Sequence, residues 1–120
     1  MKILIVDDSK TMRMIIIRTL RKTSLVGHTV LQAGDGREAL QVIATDSPDV
    51  VVSDWNMPEM TGLQLLRQLR GQGNDVNFGF VTSESTLAMR EQAAEAGARF
   101  FVTKPFTPES LEASLSPVLV

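Results

Sequence analysis

Two rhythms of apolar residues alternate five times along this chain. Residues 3–6 form a compact apolar run that ends in Asp7-Asp8, and from Ser9 the spacing becomes helical. Met12, Ile15, Ile16 and Leu20 then share one face, with Arg13, Arg18 and Arg21 mostly elsewhere and Asp8 or Ser9 as the cap. Residues 29–33 read as a second, weaker strand, turned by Gly34-Asp35-Gly36 into a helix with Ala39, Leu40 and Ile43 inward. Asp35 is that helix's cap, with Glu38 three residues on. Ser47-Pro48 ends it before Val50-Val51-Val52-Ser53, whose β-branched character predicts a strand buried on both faces, as in a parallel sheet. That strand stops at Asp54, and Pro58 then biases Met57 out of helix and turns the chain.

The second half repeats the scheme. Thr61 and Gln64 form a capping box ahead of Leu63, Leu66 and Leu69, and Gly71 and Gly73 punctuate the exit. Residues 78–82 predict a fourth strand ending in Thr82-Ser83-Glu84. The alanine-rich helix over 86–96 has a thin apolar face, and Gly97 stops it. Residues 100–102 are the fifth strand, leaving through Thr103-Lys104-Pro105. Thr107-Pro108 opens the last helix, with Leu111 and Leu115 inward. Strands alternating with helices, without a long linker or repeat, predict one α/β doubly wound domain over residues 1–120, its parallel sheet joined by right-handed crossovers.

Composition narrows the function classes. With no cysteine among 120 residues, disulfides, thiolate metal sites and cysteine nucleophiles are excluded. A net charge of −2 gives no support for nucleic-acid binding through a broad basic face. No apolar run approaches a bilayer span, and the N-terminal apolar stretch is too short for a signal peptide. A cytoplasmic location with no membrane contact is the expectation.

The chemistry lies at the strand ends. The first strand delivers Asp7 and Asp8, the third Asp54, the fourth Thr82 and the fifth Lys104. Each alone is an ordinary turn or strand-end residue. Together, on a parallel sheet, they would converge where open α/β sheets place their ligands. Carboxylates about 4 Å apart repel by roughly 4 kcal/mol per pair at an effective dielectric near 20. A hard cation relieves that repulsion, and oxygen-only ligands with room for water suit Mg²⁺ or Mn²⁺. A cation, an ammonium and a hydroxyl around one carboxylate suit phosphoryl transfer to that carboxylate.

Asp7-Asp8, Asp54, Thr82 and Lys104-Pro105, in this order, resemble the receiver domains of two-component response regulators. The segments Asp54-Trp55-Asn56-Met57-Pro58, with Gly62 beyond, and Lys104-Pro105-Phe106-Thr107 look most like stand-alone chemotaxis receivers. The resemblance covers the whole chain and implies a flavodoxin-like (βα)5 fold with strand order 2-1-3-4-5. It implies that Asp54 is the phosphoacceptor, taking its group from a sensor histidine kinase or phosphotransfer protein. Mg²⁺ would be bound by Asp8, Asp54 and the backbone carbonyl of Asn56, with Asp7 acting through water. Thr82, Lys104 and backbone N–H groups near Asn56 and Ser83 would hold phosphoryl oxygens, and Lys104-Pro105 would be a cis peptide. Thr82 and Phe101 would form the switch, altering a face of the fourth helix, fifth strand and fifth helix that an output protein reads. Phenylalanine lacks the hydroxyl of the tyrosine often found at that position. Asn56 and Glu84, two residues after Asp54 and Thr82, would tune self-dephosphorylation.

Two rival patterns are weaker. Gly34-Asp35-Gly36-Arg37-Glu38-Ala39 fits a dinucleotide fingerprint, but Asp35 would set a negative charge beside a pyrophosphate. A haloacid-dehalogenase-like phosphatase shares the nucleophile, threonine and lysine, yet needs a second aspartate where this chain has Asn56. The remaining alternative is a receiver belonging to a longer regulator or hybrid kinase. His28, the one histidine, reads as a surface or half-buried structural residue, and the arginines of the first helix as a solvated face.

Overall fold

The computed structural model describes residues 1–24 and 27–118. Strands and helices alternate as β1 (Lys2–Val6), α1 (Lys10–Leu20), β2 (Thr29–Ala33), α2 (Gly36–Asp46) and β3 (Val50–Ser53). They continue as α3 (Gly62–Gly71), β4 (Asn77–Thr82), α4 (Leu87–Glu95), β5 (Phe100–Thr103) and α5 (Pro108–Leu115), followed by a short 3-10 turn at Ser116–Val118. The five strands pair in parallel in the order β2-β1-β3-β4-β5. All their carboxyl ends therefore fall on one edge, which is what the strand-end residues require.

The two-residue period of the strands divides the core between the faces of the sheet. Ile3, Ile5, Val50 and Val52 pack with Ile16, Ile17 and Leu20 of α1 and Leu111 and Leu115 of α5. Leu4, Val6, Val51, Phe78 and Phe80 pack on the other face, with Ala39 and Ile43 of α2, Leu63, Leu66 and Leu69 of α3, and Ala93 of α4. Every residue of β3 is buried, as its Val-Val-Val-Ser composition predicts, whereas β2 is a half-exposed edge.

Local signals account for most helix ends. The Ser9 hydroxyl accepts from the Met12 N–H at 3.2 Å, so Ser9 rather than Asp8 caps α1. The Thr61–Gln64 capping box is closed in both directions. Asp35 caps α2 by accepting from the Glu38 N–H at 2.7 Å, but the Glu38 carboxylate reaches the Gly34 N–H instead of closing a box. Thr86 caps α4, which buries only Ala93 and leaves Leu87 73% exposed, in keeping with its thin apolar face.

One burial expectation fails. Ile15 is 41% exposed, and Ile17 occupies the inward position instead. α1 packs against both the sheet and α5, so its buried stripe is rotated toward Ile16, Ile17 and Leu20. Met12, Ile15 and Thr19 form a second stripe along the rim of the sheet edge.

Gly62 is fixed by close approach. Its N–H donates to the Trp55 carbonyl at 2.8 Å, and a Cβ here would collide with the carbonyl oxygen of Asp54. At Gly71 a Cβ would meet open space. Gly62→Ala should therefore lower unfolding stability by about 1–3 kcal/mol. Gly71→Ala should raise it by up to about 1 kcal/mol through helix propensity. Urea denaturation of the two variants checks the pair, and equal effects would contradict this packing.

Candidate functional site

The sheet edge brings the acidic residues together. Backbone hydrogen bonds from the Asp7 N–H to the Ala33 carbonyl (3.2 Å) and from the Asp54 N–H to the Val6 carbonyl (2.8 Å) extend the ladder by one residue at each aspartate. Asp7 is buried, Asp54 half-buried and Asp8 exposed, and one carboxylate oxygen from each lies within 4.8 Å of the others. Lys104, leaving the end of β5, sets its Nζ 3.4 Å from Asp7 Oδ2 and 3.8 Å from Asp54 Oδ1. Asp7 Oδ1 accepts from the Ser9 N–H at 2.9 Å, and Asp54 Oδ1 from the Trp55 N–H at 2.8 Å. The Lys104–Pro105 peptide is cis.

Thr82 is fully buried, and its hydroxyl oxygen accepts from the Glu84 N–H at 3.4 Å. Its carbonyl accepts from the Lys104 N–H at 2.8 Å, tying the ends of β4 and β5 together. Asn56, Ser83 and Glu84 are exposed in the β3–α3 and β4–α4 loops. Phe101 is half-buried, its ring centroid 6.1 Å from that of Phe80 and 6.3 Å from that of Trp55. Trp55 and Phe80 are themselves 4.8 Å apart, so a run of mutually tilted rings leads from the residue beside Asp54 to the α4–β5 surface.

Two arginines join the constellation that residue patterning did not single out. Arg13 donates from Nη1 to the Asp7 carbonyl at 2.7 Å and from Nε to Gln32 Oε1 at 3.0 Å, so it is not part of a solvated face. Arg90 lies over the Phe101 ring, 4.7 Å from its centroid, and donates to Ser85 Oγ at 2.9 Å and Thr103 Oγ1 at 3.2 Å. Both sets of contacts tie a helix back to the strand ends that flank it in the chain. The only local hint for Arg13 is its position, less than two helical turns beyond Asp7.

Two other sequence motifs contribute no carboxylate to the acidic cluster. The Gly34–Ala39 segment lies beyond edge strand β2, with Asp35 engaged as the α2 cap. His28 is half-buried just before β2. A groove of about 490 Å3 adjoins the acidic edge, lined by Met12, Ile15 and Thr19 of α1 and by Ser83, Lys104, Pro105 and Phe106.

The donor set passes the test for a hard divalent cation. It offers oxygen alone, three carboxylates converge, and exposed Asp8 leaves a side open to the water that such an ion retains. Burial pushes the Asp54 carboxyl above the ordinary aspartate range; Lys104 pulls it back down, while Asp7 and, less strongly, Asp8 push it up.

Comparisons with known proteins converge on one family. The response regulator receiver domain family matches residues 3–116. The response regulator MprA of Mycolicibacterium vanbaalenii is 41% identical over 118 residues, covering 98% of this chain and 50% of that protein. This chain therefore spans half the length of that relative. A chemotaxis protein CheY homologue of Campylobacter jejuni is 42% identical over 123 positions, covering 99% of this chain and 92% of the relative. The solved structure of the chemotaxis protein CheY4 of Vibrio cholerae superposes with a TM-score of 0.87 at 35% identity, covering 98% of this chain and 97% of that one. The fold is flavodoxin-like, and the chain belongs to the receiver domain family of two-component response regulators. Receiver domains generally bind Mg²⁺ at an acidic pocket, the chemistry that Asp7, Asp8 and Asp54 offer.

The electrostatics carry a sign that can be tested. The folded-state pKa of Asp54 lies above its ordinary value, so the unfolded chain ionises first as pH rises. Without a cation the fold should lose stability from the ordinary aspartate value upward until Asp54 is fully ionised. Asp54→Asn should thus be more stable than wild type at neutral pH in chelator, with the difference vanishing as pH falls below that ordinary value. Urea midpoints across a pH series measure it, and a variant no more stable at neutral pH would contradict it.

Proposed function

We propose that this chain is a phosphorylation-activated signalling switch whose Asp54 accepts a phosphoryl group from a phosphohistidine on a sensor kinase or phosphotransfer protein. The observation carrying this reading is the placement of Asp54 among Asp7, Asp8 and Lys104 at the end of a buried strand. A carboxylate oxygen of Asp54 attacks phosphorus in line; the P–O bond forms as the P–N bond breaks, and the departing imidazole keeps the electron pair and takes a proton. Asp8, Asp54 and the Asn56 carbonyl would hold Mg²⁺, with Asp7 acting through water. When bound, that ion neutralises the carboxylates and the charge on the phosphoryl oxygens. Lys104, the Thr82 hydroxyl and backbone N–H groups near Asn56 and Ser83 hold those oxygens from the other side.

The groove beside Lys104 supports the partner assignment. Its apolar α1 stripe lies next to Asp54's edge of the sheet, where a helix carrying the phosphohistidine has an apolar face to rest on. As the Thr82 hydroxyl moves toward the phosphoryl group, Phe101 turns farther in. The α4–β5–α5 face then changes shape for an output protein. Similarity across 92% of a chemotaxis homologue favours a chemotaxis-type regulator that acts by protein contact in the cytoplasm. The 41% identity to MprA supports a second reading, a receiver within a longer regulator.

With acetyl phosphate and Mg²⁺, intact-protein mass spectrometry should show one phosphoryl group per chain, absent after Asp54→Ala or in chelator. Undiminished labelling of Asp54→Ala would refute the assignment. Repeated turnover of a phosphomonoester would favour a haloacid-dehalogenase-like phosphatase instead, although Asn56 stands where that chemistry needs an aspartate.

Exposed Asn56 and Glu84 flank the proposed phosphoryl position, where polar side chains orient an attacking water. Replacing both with alanine should change the acyl-phosphate lifetime by about tenfold or more, up to the roughly hundredfold cost of a misplaced reactant. Decay of the label in fresh buffer measures it, and an unaltered lifetime removes the two residues from that role.

A further inference from the structure

Just past β1, the Asp7 carbonyl accepts no backbone hydrogen bond among the described residues. In a parallel ladder the Asp7 N–H bonds to the Ala33 carbonyl, and the returning rung would come from the Asp35 N–H to the Asp7 carbonyl. β2 has ended at Ala33, however, and Asp35 has turned away as the extended N-cap of α2. The Arg13 guanidinium fills the gap, donating from Nη1 to the Asp7 carbonyl at 2.7 Å. Its Nε donates to Gln32 Oε1 on β2 at 3.0 Å, so the planar fork is anchored on the strand that fails to supply the rung.

We propose that Arg13, braced by Gln32, is a positioning residue for the carboxylate site. Its guanidinium supplies the missing rung and holds the Asp7–Asp8 peptide, from which two of the three site carboxylates project. The inference rests on the reading that these carboxylates bind Mg²⁺. Two consequences separate positioning from simple charge. A nearby cation acting through its field alone opposes Mg²⁺, so neutralising it would tighten binding. A residue that orients the carboxylates does the reverse, and a lysine cannot reproduce a two-point planar fork.

The test is titration of the unphosphorylated protein with MgCl2, read by fluorescence of Trp55, the only tryptophan, whose N–H donates to Asp54. Arg13→Lys and Arg13→Met should each weaken Mg²⁺ binding by about tenfold, the lower end of what loss of an outer hydrogen-bond partner does at metal sites. Gln32→Ala should weaken it less, in the same direction, and carries the test alongside Arg13→Lys if Arg13→Met does not fold. Melting in chelator should show Arg13→Lys as stable as wild type to within a few degrees, so that lost affinity is not lost fold. Wild-type affinity in Arg13→Lys, or unchanged or tighter binding in Arg13→Met, overturns the inference. A wild-type protein whose fluorescence and heat of mixing are both indifferent to MgCl2 overturns the metal reading itself, and this inference with it.

Discussion

The ammonium of Lys104 lies between carboxylates from two other strands, 3.4 Å from Asp7 and 3.8 Å from Asp54. β5 is separated from β1 by β3 and β4, so this contact spans most of the sheet edge. It pairs one ammonium directly with a cluster of three carboxylates, while Arg13 is engaged on the Asp7 carbonyl. Like charges at these separations repel by roughly 4 kcal/mol per pair under partial screening, so a single lysine leaves the cluster short of balance. The upward displacement of the Asp54 pKa expresses the same deficit, since burial and the neighbouring aspartates outweigh the lysine. A site in that condition attracts a small divalent cation, and after it any group that brings compensating structure.

The surroundings make this deficit mechanically useful. The main chain binds Lys104 to Thr82, and Thr82 begins the loop that leads into α4. From Asp54 a second route runs through the rings of Trp55, Phe80 and Phe101 to Arg90, which clasps Ser85 and Thr103. Both routes end at α4. That helix contributes a single buried residue, Ala93, and elements held by few buried contacts are those that open or shift at low free-energy cost. The rigid core lies elsewhere, in β1, β3, β4 and the leucines of α3. Under the proposed switch, the strong elements hold the chemistry and the weak helix reports it.

Different parts of this arrangement were legible in the sequence to different degrees. Strands announced themselves as short β-branched or apolar runs, and helix starts through Asp8 or Ser9, Asp35, Thr61 and Thr107, because both signals are local. The strand-end residues Asp7, Asp8, Asp54, Thr82 and Lys104 were legible as a set once a parallel sheet was inferred, since parallel strands must end on one edge. Strand order and the cis Lys104–Pro105 bond came from family resemblance alone. The orientation of α1 was misjudged at Ile15, because Ile15, Ile16 and Ile17 are equally apolar and only the position of α5 decides which one is covered. Arg13 and Arg90 stayed hidden for a related reason. Their partners lie on β1, β2 and β5, and nothing in a run of charged helix residues shows which of them folds back onto the sheet.

Arg13 is one of several contacts that hold a site built just past the strand ends. Asp7, Asp8 and Asp54 lie one or two residues past their strands, where the ladder runs out and the backbone is no longer fixed on both sides. Asp54 is secured by the Val6 carbonyl, by the Ser53 hydroxyl on its own carbonyl at 2.8 Å, and by the close seat of Gly62. Asp7 is secured by Ala33 on one side and by the Arg13 side chain where the next strand residue is missing. Each anchor holds a carboxylate near others that repel it. The fold therefore spends part of its stability keeping like charges together, as functional sites commonly do. Relaxing any one anchor would ease the repulsion and, by the same movement, spoil the convergence on which the proposed ion and phosphoryl binding depends.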